Sequence, residues 1–233
     1  MRKLAVYQVN CKVYMMKSVP FERMQIELAY LVDSTLLKTE EYSQLHNKNC
    51  YKNYVFDGLK PIEKNRCYQE GKLYTFSIRC LDEKLAKYFE KELAIAYTET
   101  MKGLSCEMVT IKRCMIEKLY LLTPAIMKFN DGYWKKSHSF EEFQHRIFQN
   151  AVKKYNQYTG EKIAEDFKLY TNIKMLNDKP MKIRYKNISL LGDKFELYIA
   201  ENETAQSIAY FLLGTGICEL NSRGYGYANY RAM

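Results

Sequence analysis

Only three histidines occur in the 233 residues, and one of them stands where a histidine could do chemistry. His46 lies in the polar stretch Tyr42-Ser43-Gln44-Leu45-His46-Asn47-Lys48-Asn49-Cys50-Tyr51-Lys52, between a helical pattern and the strand-like Tyr54 to Leu59. An imidazole, with an ordinary pKa near ~6.5, can give or take a proton at neutral pH. Lys52 could bring a cation to a phosphate if the loop folds back; otherwise it is a solvated lysine on a strand edge. Tyr30 sits on the preceding helix, off its main apolar stripe, and either faces the His46 loop or anchors the helix on a sheet. Together these side chains could move a proton and stabilise charge developing on an oxyanion. His138 immediately precedes a helix cap and His145 lies near an apolar stripe, so packing and surface hydrogen bonding account for both.

A second signal lies almost the whole chain away, at Gly214-Thr215-Gly216-Ile217-Cys218-Glu219-Leu220-Asn221-Ser222-Arg223-Gly224-Tyr225-Gly226-Tyr227. Four of the ten glycines fall here, where positive φ and close backbone approach could present amide N–H groups to an anion. The segment is not a Walker loop, since no Lys-Ser or Lys-Thr follows it. Nor does it open the chain as a dinucleotide fingerprint should. A plain glycine-rich hairpin is the competing reading.

The elements that must position these residues are legible in the periodicity. Lys3 to Val13 alternates as a strand, and Pro20 opens a helix to Asp33 with Phe21, Met24, Leu28, Leu31 and Val32 on one stripe. Leu73 to Cys80 is a strand, Asp82 caps a helix carrying Leu85, Tyr88, Phe89 and Leu93, and Leu104 to Lys112 is a further strand. With Tyr54 to Leu59 the order is β-α-β-β-α-β, the ferredoxin-like order. The second half repeats it. Cys114 to Phe129 is strand-like, and Ser139 with Glu142 makes a capping box ahead of Phe143, Ile147, Phe148, Ala151, Val152 and Tyr155. Met181 to Ile188 and Lys194 to Ala200 read as a hairpin turned at Leu191-Gly192-Asp193. Asn202 caps a helix stopped by Gly214, and Tyr225 to Tyr230 closes as a strand. The expected fold is α+β, two tandem ferredoxin-like domains over 1–113 and 114–233. No proline- or glycine-rich linker separates them, so they should pack closely.

Composition narrows the class. A hydrophobic content of 47% excludes a disordered chain, and no apolar run approaches the ~18 residues of a membrane span. The N-terminal apolar stretch is too short for a signal peptide. Seven cysteines, an odd number without C-x-x-C or a cysteine–histidine cluster, argue against a disulfide framework and structural zinc. No metal or cofactor is expected, and reduced thiols suit a cytoplasm. The net charge of +9 points to a polyanion, and 21 tyrosines offer stacking surfaces that single-stranded RNA can use, although most alternate along strands as ordinary sheet residues.

The chain resembles the CRISPR-associated endoribonuclease of the Cas six family. The likeness rests on L-H-x-x-x-x-Y-K-x-Y (Leu45 to Tyr54), the Leu73 to Cys80 strand with its I-R ending, and the terminal N-S-R-G-Y-G-Y (Asn221 to Tyr227). Leu119 to Pro124 and Tyr155 to Gly160 add to it. The resemblance implies two tandem ferredoxin-like domains of the RAMP, RRM-like type in a prokaryotic cytoplasm. It also implies metal-independent cleavage of precursor CRISPR RNA within its repeats, giving 2′,3′-cyclic phosphate and 5′-hydroxyl ends. His46 then acts as general acid or base, with Lys52 and Tyr30 assisting.

The resemblance gives the glycine-rich loop the task of holding RNA. Gly214, Gly216, Gly224 and Gly226 would form its framework, with Arg223, Asn221 and Ser222 contacting the strand. Glu219 departs from a strongly basic version of that loop, so other cations must help. Lys182, Arg184 and Lys186 alternate along one face of a strand and are the RNA-contact candidates, ahead of Lys135-Lys136 beside Trp134. A Cas interference complex and a second copy of the chain are further partners left open. Two other readings stand beside the enzyme: a CRISPR RNA-binding subunit that does not cut, and a ferredoxin-like metabolite-binding protein.

Overall fold

The computed structural model describes residues 4–185 and 188–233. The first half contains β1 (Val6–Met15), β2 (Val19–Pro20), α1 (Phe21–Leu36), α2 (Glu40–Asn47), β3 (Tyr54–Phe56), β4 (Cys67–Tyr68), β5 (Leu73–Cys80), α3 (Glu83–Leu93) and β6 (Met101–Ile111). The second contains β7 (Ile116–Leu121), α4 (Phe140–Thr159), β8 (Tyr170–Met175), β9 (Met181–Tyr185), β10 (Ile188–Gly192), β11 (Phe195–Ile199), α5 (Glu203–Thr215) and β12 (Ala228–Ala232).

Two four-stranded antiparallel sheets form, in the orders β3-β5-β1-β6 and β12-β7-β11-β8. In each, the first strand lies between the third and the last, the ferredoxin-like arrangement repeated twice. The alternation of β5 works as its sequence requires, with Tyr74, Phe76, Ile78 and Cys80 buried under α1 and α3. Helix ends follow their caps: Asp82 accepts from Leu85 N at 2.8 Å, Ser139 and Glu142 close a full capping box, and Asn202 accepts from Ala205 N at 2.8 Å.

The expected hairpin of 181–188 against 194–200 does not form. β9 pairs with β10 in a separate two-stranded ribbon, and β11 enters the second sheet between β7 and β8. The strand β8 was hidden in a segment whose charged and polar residues mask its alternation. Helix α5 runs one residue past Gly214, and Gly216 (φ +78°) ends it. Gly214 therefore packs inside a helix, where a Cβ would press on Leu81.

α5 is buried along almost its whole length and packs on β1, β3 and β5 as well as on β7, β11 and β12. Tyr210 donates its hydroxyl to Ile111 O at 2.6 Å and accepts from Val6 N at 3.1 Å. From the other side Arg79 of β5, 4% exposed, donates to Gln8 Oε1 and to Ala228 O, both at 2.7 Å. Its guanidinium lies over the Tyr227 ring at 4.5 Å. The ends of the chain and its middle are thereby tied to one another.

Candidate active site

His46 is carried on the last turn of α2, a helix that the polar composition of Glu40–Asn47 conceals, since only Tyr42 among its residues is buried. Thr39 caps it, accepting from Tyr42 N at 3.4 Å. His46 Nδ1 lies 3.4 Å from Asp33 Oδ1, and the other oxygen of Asp33 accepts from Arg223. The two sequence signals thus meet through a residue that sequence reasoning passed over. Asp33 and His46 are both largely shielded, and the carboxylate raises the Arg223 pKa against the opposing effect of burial. Nδ1 is the ring nitrogen nearer Asp33, and Nε2 is the other proton-exchanging position of the ring.

Lys52 does fold back, but onto backbone. Its ammonium donates to the carbonyls of Leu45, His46 and Lys48, closing the C-terminal end of α2. Three protons meet three acceptors, so a phosphate could take one only by exchange. Burial lowers its pKa. Its structural part is to fix the turn from which His46 projects.

Tyr30 does not join the group. It is 58% exposed and lines a shallow groove with Arg23, Glu27 and Thr98–Thr100. Asp33, one turn further along α1, is the residue of this helix that meets His46. Tyr54 is the aromatic that lies there instead. It is buried, it touches Ser222, and burial pushes its phenol well up.

The glycine-rich loop has a different construction from a row of free amides. Gly216, Gly224 and Gly226 are buried at positive φ, and a Cβ on Gly226 would overlap the Ile217 carbonyl. Gly226→Ala should therefore cost at least ~2 kcal/mol of stability, read as a shifted denaturant midpoint with an unchanged slope. Asn221 is not available to RNA. Its amide donates to Ile217 O (3.0 Å) and Tyr225 O (2.9 Å), and its oxygen accepts from Lys154 (2.7 Å). Ser222 and Arg223 are the partly exposed members. Glu219 sits 3.9 Å from Lys128.

Lys154, on α4, was also missed. Its side chain is fully buried and its amine reaches Gly216 O at 2.6 Å, Cys218 O at 3.2 Å, Thr215 O at 3.5 Å and Asn221 Oδ1. Burial pushes its pKa down to about 7, while the four oxygens favour the charged form. The signal was present: Lys154 falls on the Ile147, Ala151, Tyr158 stripe, a lysine at a core-facing position.

A cleft of about 280 Å³ opens between Lys48–Tyr54 and Glu219–Arg223, with Lys154 and Tyr185 at its base. A wider trough of about 1050 Å³ continues over Asn49–Tyr51 to Arg146, Lys153 and Lys162 of the α4 side. Of the strand cations, Lys182 and Arg184 are exposed on β9, which runs beside α1; Lys186 lies outside the described residues. Among the described residues, no three His, Cys, Asp or Glu side chains gather as metal ligands, and no helix is long and apolar enough to cross a membrane.

The twice-repeated ferredoxin-like fold is one that solved Cas6 and RAMP proteins share. Residues 111–230 match the family described as CRISPR associated protein Cas6, C-terminal, over just more than half of the chain. The chain belongs to the Cas6 family, which includes repeat-specific endoribonucleases. No curated protein matches it by sequence.

Among solved structures, a CRISPR associated protein Cas6 superposes with a TM-score of 0.74 at 18% identity, covering 97% of this chain and 99% of its own. A RAMP protein binding different RNA substrates gives 0.73 at 14%, covering 97% and 99%. The product of a Cas6-related gene from Pyrococcus furiosus gives 0.71 at 15%, covering 97% and 98%. At these identities the likeness is one of fold.

Proposed function

We propose that the protein cleaves precursor CRISPR RNA within its repeats, the 2′-hydroxyl of one nucleotide attacking the adjacent phosphate. The products would carry 2′,3′-cyclic phosphate and 5′-hydroxyl ends. The observation that carries this reading is the chain of contacts from His46 through Asp33 to Arg223, the last of which lines a cleft that two distant segments build together. Asp33 Oδ1, 3.4 Å from Nδ1, sets a carboxylate beside the imidazole. His46 Nε2 would then exchange a proton with the 2′-hydroxyl or the departing 5′-oxygen. Arg223, held by the same carboxylate, lies where charge on the phosphorane can be met. Because the nucleophile belongs to the substrate, the step needs no metal-activated water.

In this reading residues 1–113 supply the proton-transfer group and 114–233 the loop that holds the strand. Lys52 fixes the histidine's turn, and its amine can reach the phosphate only by leaving one of its carbonyls. That occupied lysine is also what favours the second reading, an RNA-holding subunit that does not cut.

The deciding experiment is incubation of the protein's own repeat RNA with the wild-type chain in excess EDTA, with product ends mapped. One defined cut ending in a cyclic phosphate is the expected result. Tight binding without a cut would favour the holding subunit, and absence of binding would overturn both. If about five phosphates are neutralised, affinity should fall roughly 100-fold between 50 and 200 mM salt, measurable by filter binding.

A further inference from the structure

A second cleft, of about 470 Å³, lies between the N-terminal half of α1 and the β9–β10 ribbon, and the cleavage chemistry does not use it. Met24, Leu59, Ile183, Tyr225 and Pro124 give it an apolar lining. Phe21 stands at its edge with the Arg66 guanidinium 4.1 Å over the ring.

Its two carboxylates are already neutralised. Glu22 pairs with Arg66 at 3.3 Å, and the buried Asp57 pairs with Lys60 at 2.5 Å. Three further cations, Lys182, Arg184 and Lys194, have no carboxylate partner among the described residues. Lys194 is the telling one. It is half-buried, desolvation lowers its pKa, and no described residue offers its amine an acceptor. A half-buried cation without an anion, above an apolar floor, fits a ligand that is flat and apolar on one side and anionic on the other.

The cleft also lies next to the candidate active site. Gln25 of α1, on its lining, donates to Gly224 O at 3.1 Å and to Asp57 O at 3.3 Å, and Tyr225 of the glycine-rich loop lines it too. Met24 and Asp33 are separated by about 13 Å along the helix axis, so a strand following α1 from the cleavage centre would arrive within a few nucleotides.

We propose that this cleft is a subsite for one unstacked nucleotide of the RNA strand, its base on the Met24, Ile183 and Tyr225 floor and its phosphate at Lys194. The assignment rests on the RNA-cleaving reading and deepens it, since it makes one base of the repeat a recognition element distinct from the bond that is cut. Arg184 and Lys182, exposed at the rim, would meet the flanking phosphates.

The test uses the full chain and its own repeat RNA, with each base in turn removed to leave an abasic sugar. Wild type should show one position near the cut where loss of the base weakens binding by about tenfold. Lys194→Met should weaken binding of the intact repeat, reduce the salt slope by about 0.7, and erase most of the abasic effect at that one position. Lys194→Arg should restore the slope. Arg184→Ala, at an exposed side chain, gives the same loss of slope should the Lys194 variant not fold.

An unchanged affinity and slope in Lys194→Met and Arg184→Ala, or abasic effects spread evenly over the repeat, would overturn the subsite while wild type still cuts. Failure of wild type to bind the repeat at all would overturn the RNA-cleaving reading and the subsite with it.

Discussion

His46→Ala should lower the single-turnover rate of repeat cleavage by about 10² to 10⁴, the usual contribution of a positioned acid or base, and leave the affinity for RNA nearly unchanged. The split between rate and binding follows from the geometry. The imidazole is largely shielded beside Asp33, while the cations that would hold the strand stand on other elements: Arg223 on the loop, Lys182 and Arg184 on β9. Alanine keeps the helix α2, whose end is closed by Lys52 through backbone carbonyls and not through the ring. Loss of binding together with rate would mean that His46 holds RNA instead of cutting it. Equal cutting by both proteins would move the proton transfer to another residue, with Tyr54 and Lys52 the nearest candidates.

The second large effect is expected at a fully buried residue. Lys154→Met keeps an unbranched side chain of similar volume but removes the ammonium that four oxygens share. Three buried carbonyls and the Asn221 oxygen then lose a donor, at about 1–3 kcal/mol for each group left unsatisfied. Relief from burying a charge offsets part of this. A net loss of about 3 kcal/mol is expected, a fall in Tm of roughly 10 °C for a chain of this size. Asn221→Ala should be strongly non-additive with it, because both side chains hold the same turn. Calorimetry on the two single variants and the double variant decides the matter. A methionine variant as stable as wild type would show that packing alone shapes the loop.

Much of the frame was readable because local chemistry and global fold agree. The Tyr74-to-Cys80 alternation, the Asp82 and Asn202 caps and the Ser139–Glu142 box each fix an element by short-range physics, and the two sheets follow. The β9–β10 ribbon was misread because alternation says that a strand exists, not which strand it pairs with. In the candidate site, His46 and Arg223 were visible as types in unusual surroundings. Asp33 was not: on an amphipathic helix one carboxylate looks like another, and only the packing of α2 and the loop around α1 singles it out. Tyr30 is the converse case: it stands exposed on the same helix, while the contact with His46 falls to Asp33 one turn on. Lys52 and Asn221 have the residue types of ligand-binding groups, yet backbone carbonyls had first claim on them.

One property of α5 has a consequence for how long a cut product would be. Its flanks are clasped by both sheets, and the glycine-rich loop hangs from its end. The jaw that would grip the strand is therefore referenced to the sheet that lies beneath the imidazole's own half as well as to its own. Such a body acts as a caliper set at one opening. The distance from the gripped nucleotide to the severed bond becomes a dimension of the protein, and the uniformity of the ends it would leave a matter of stiffness.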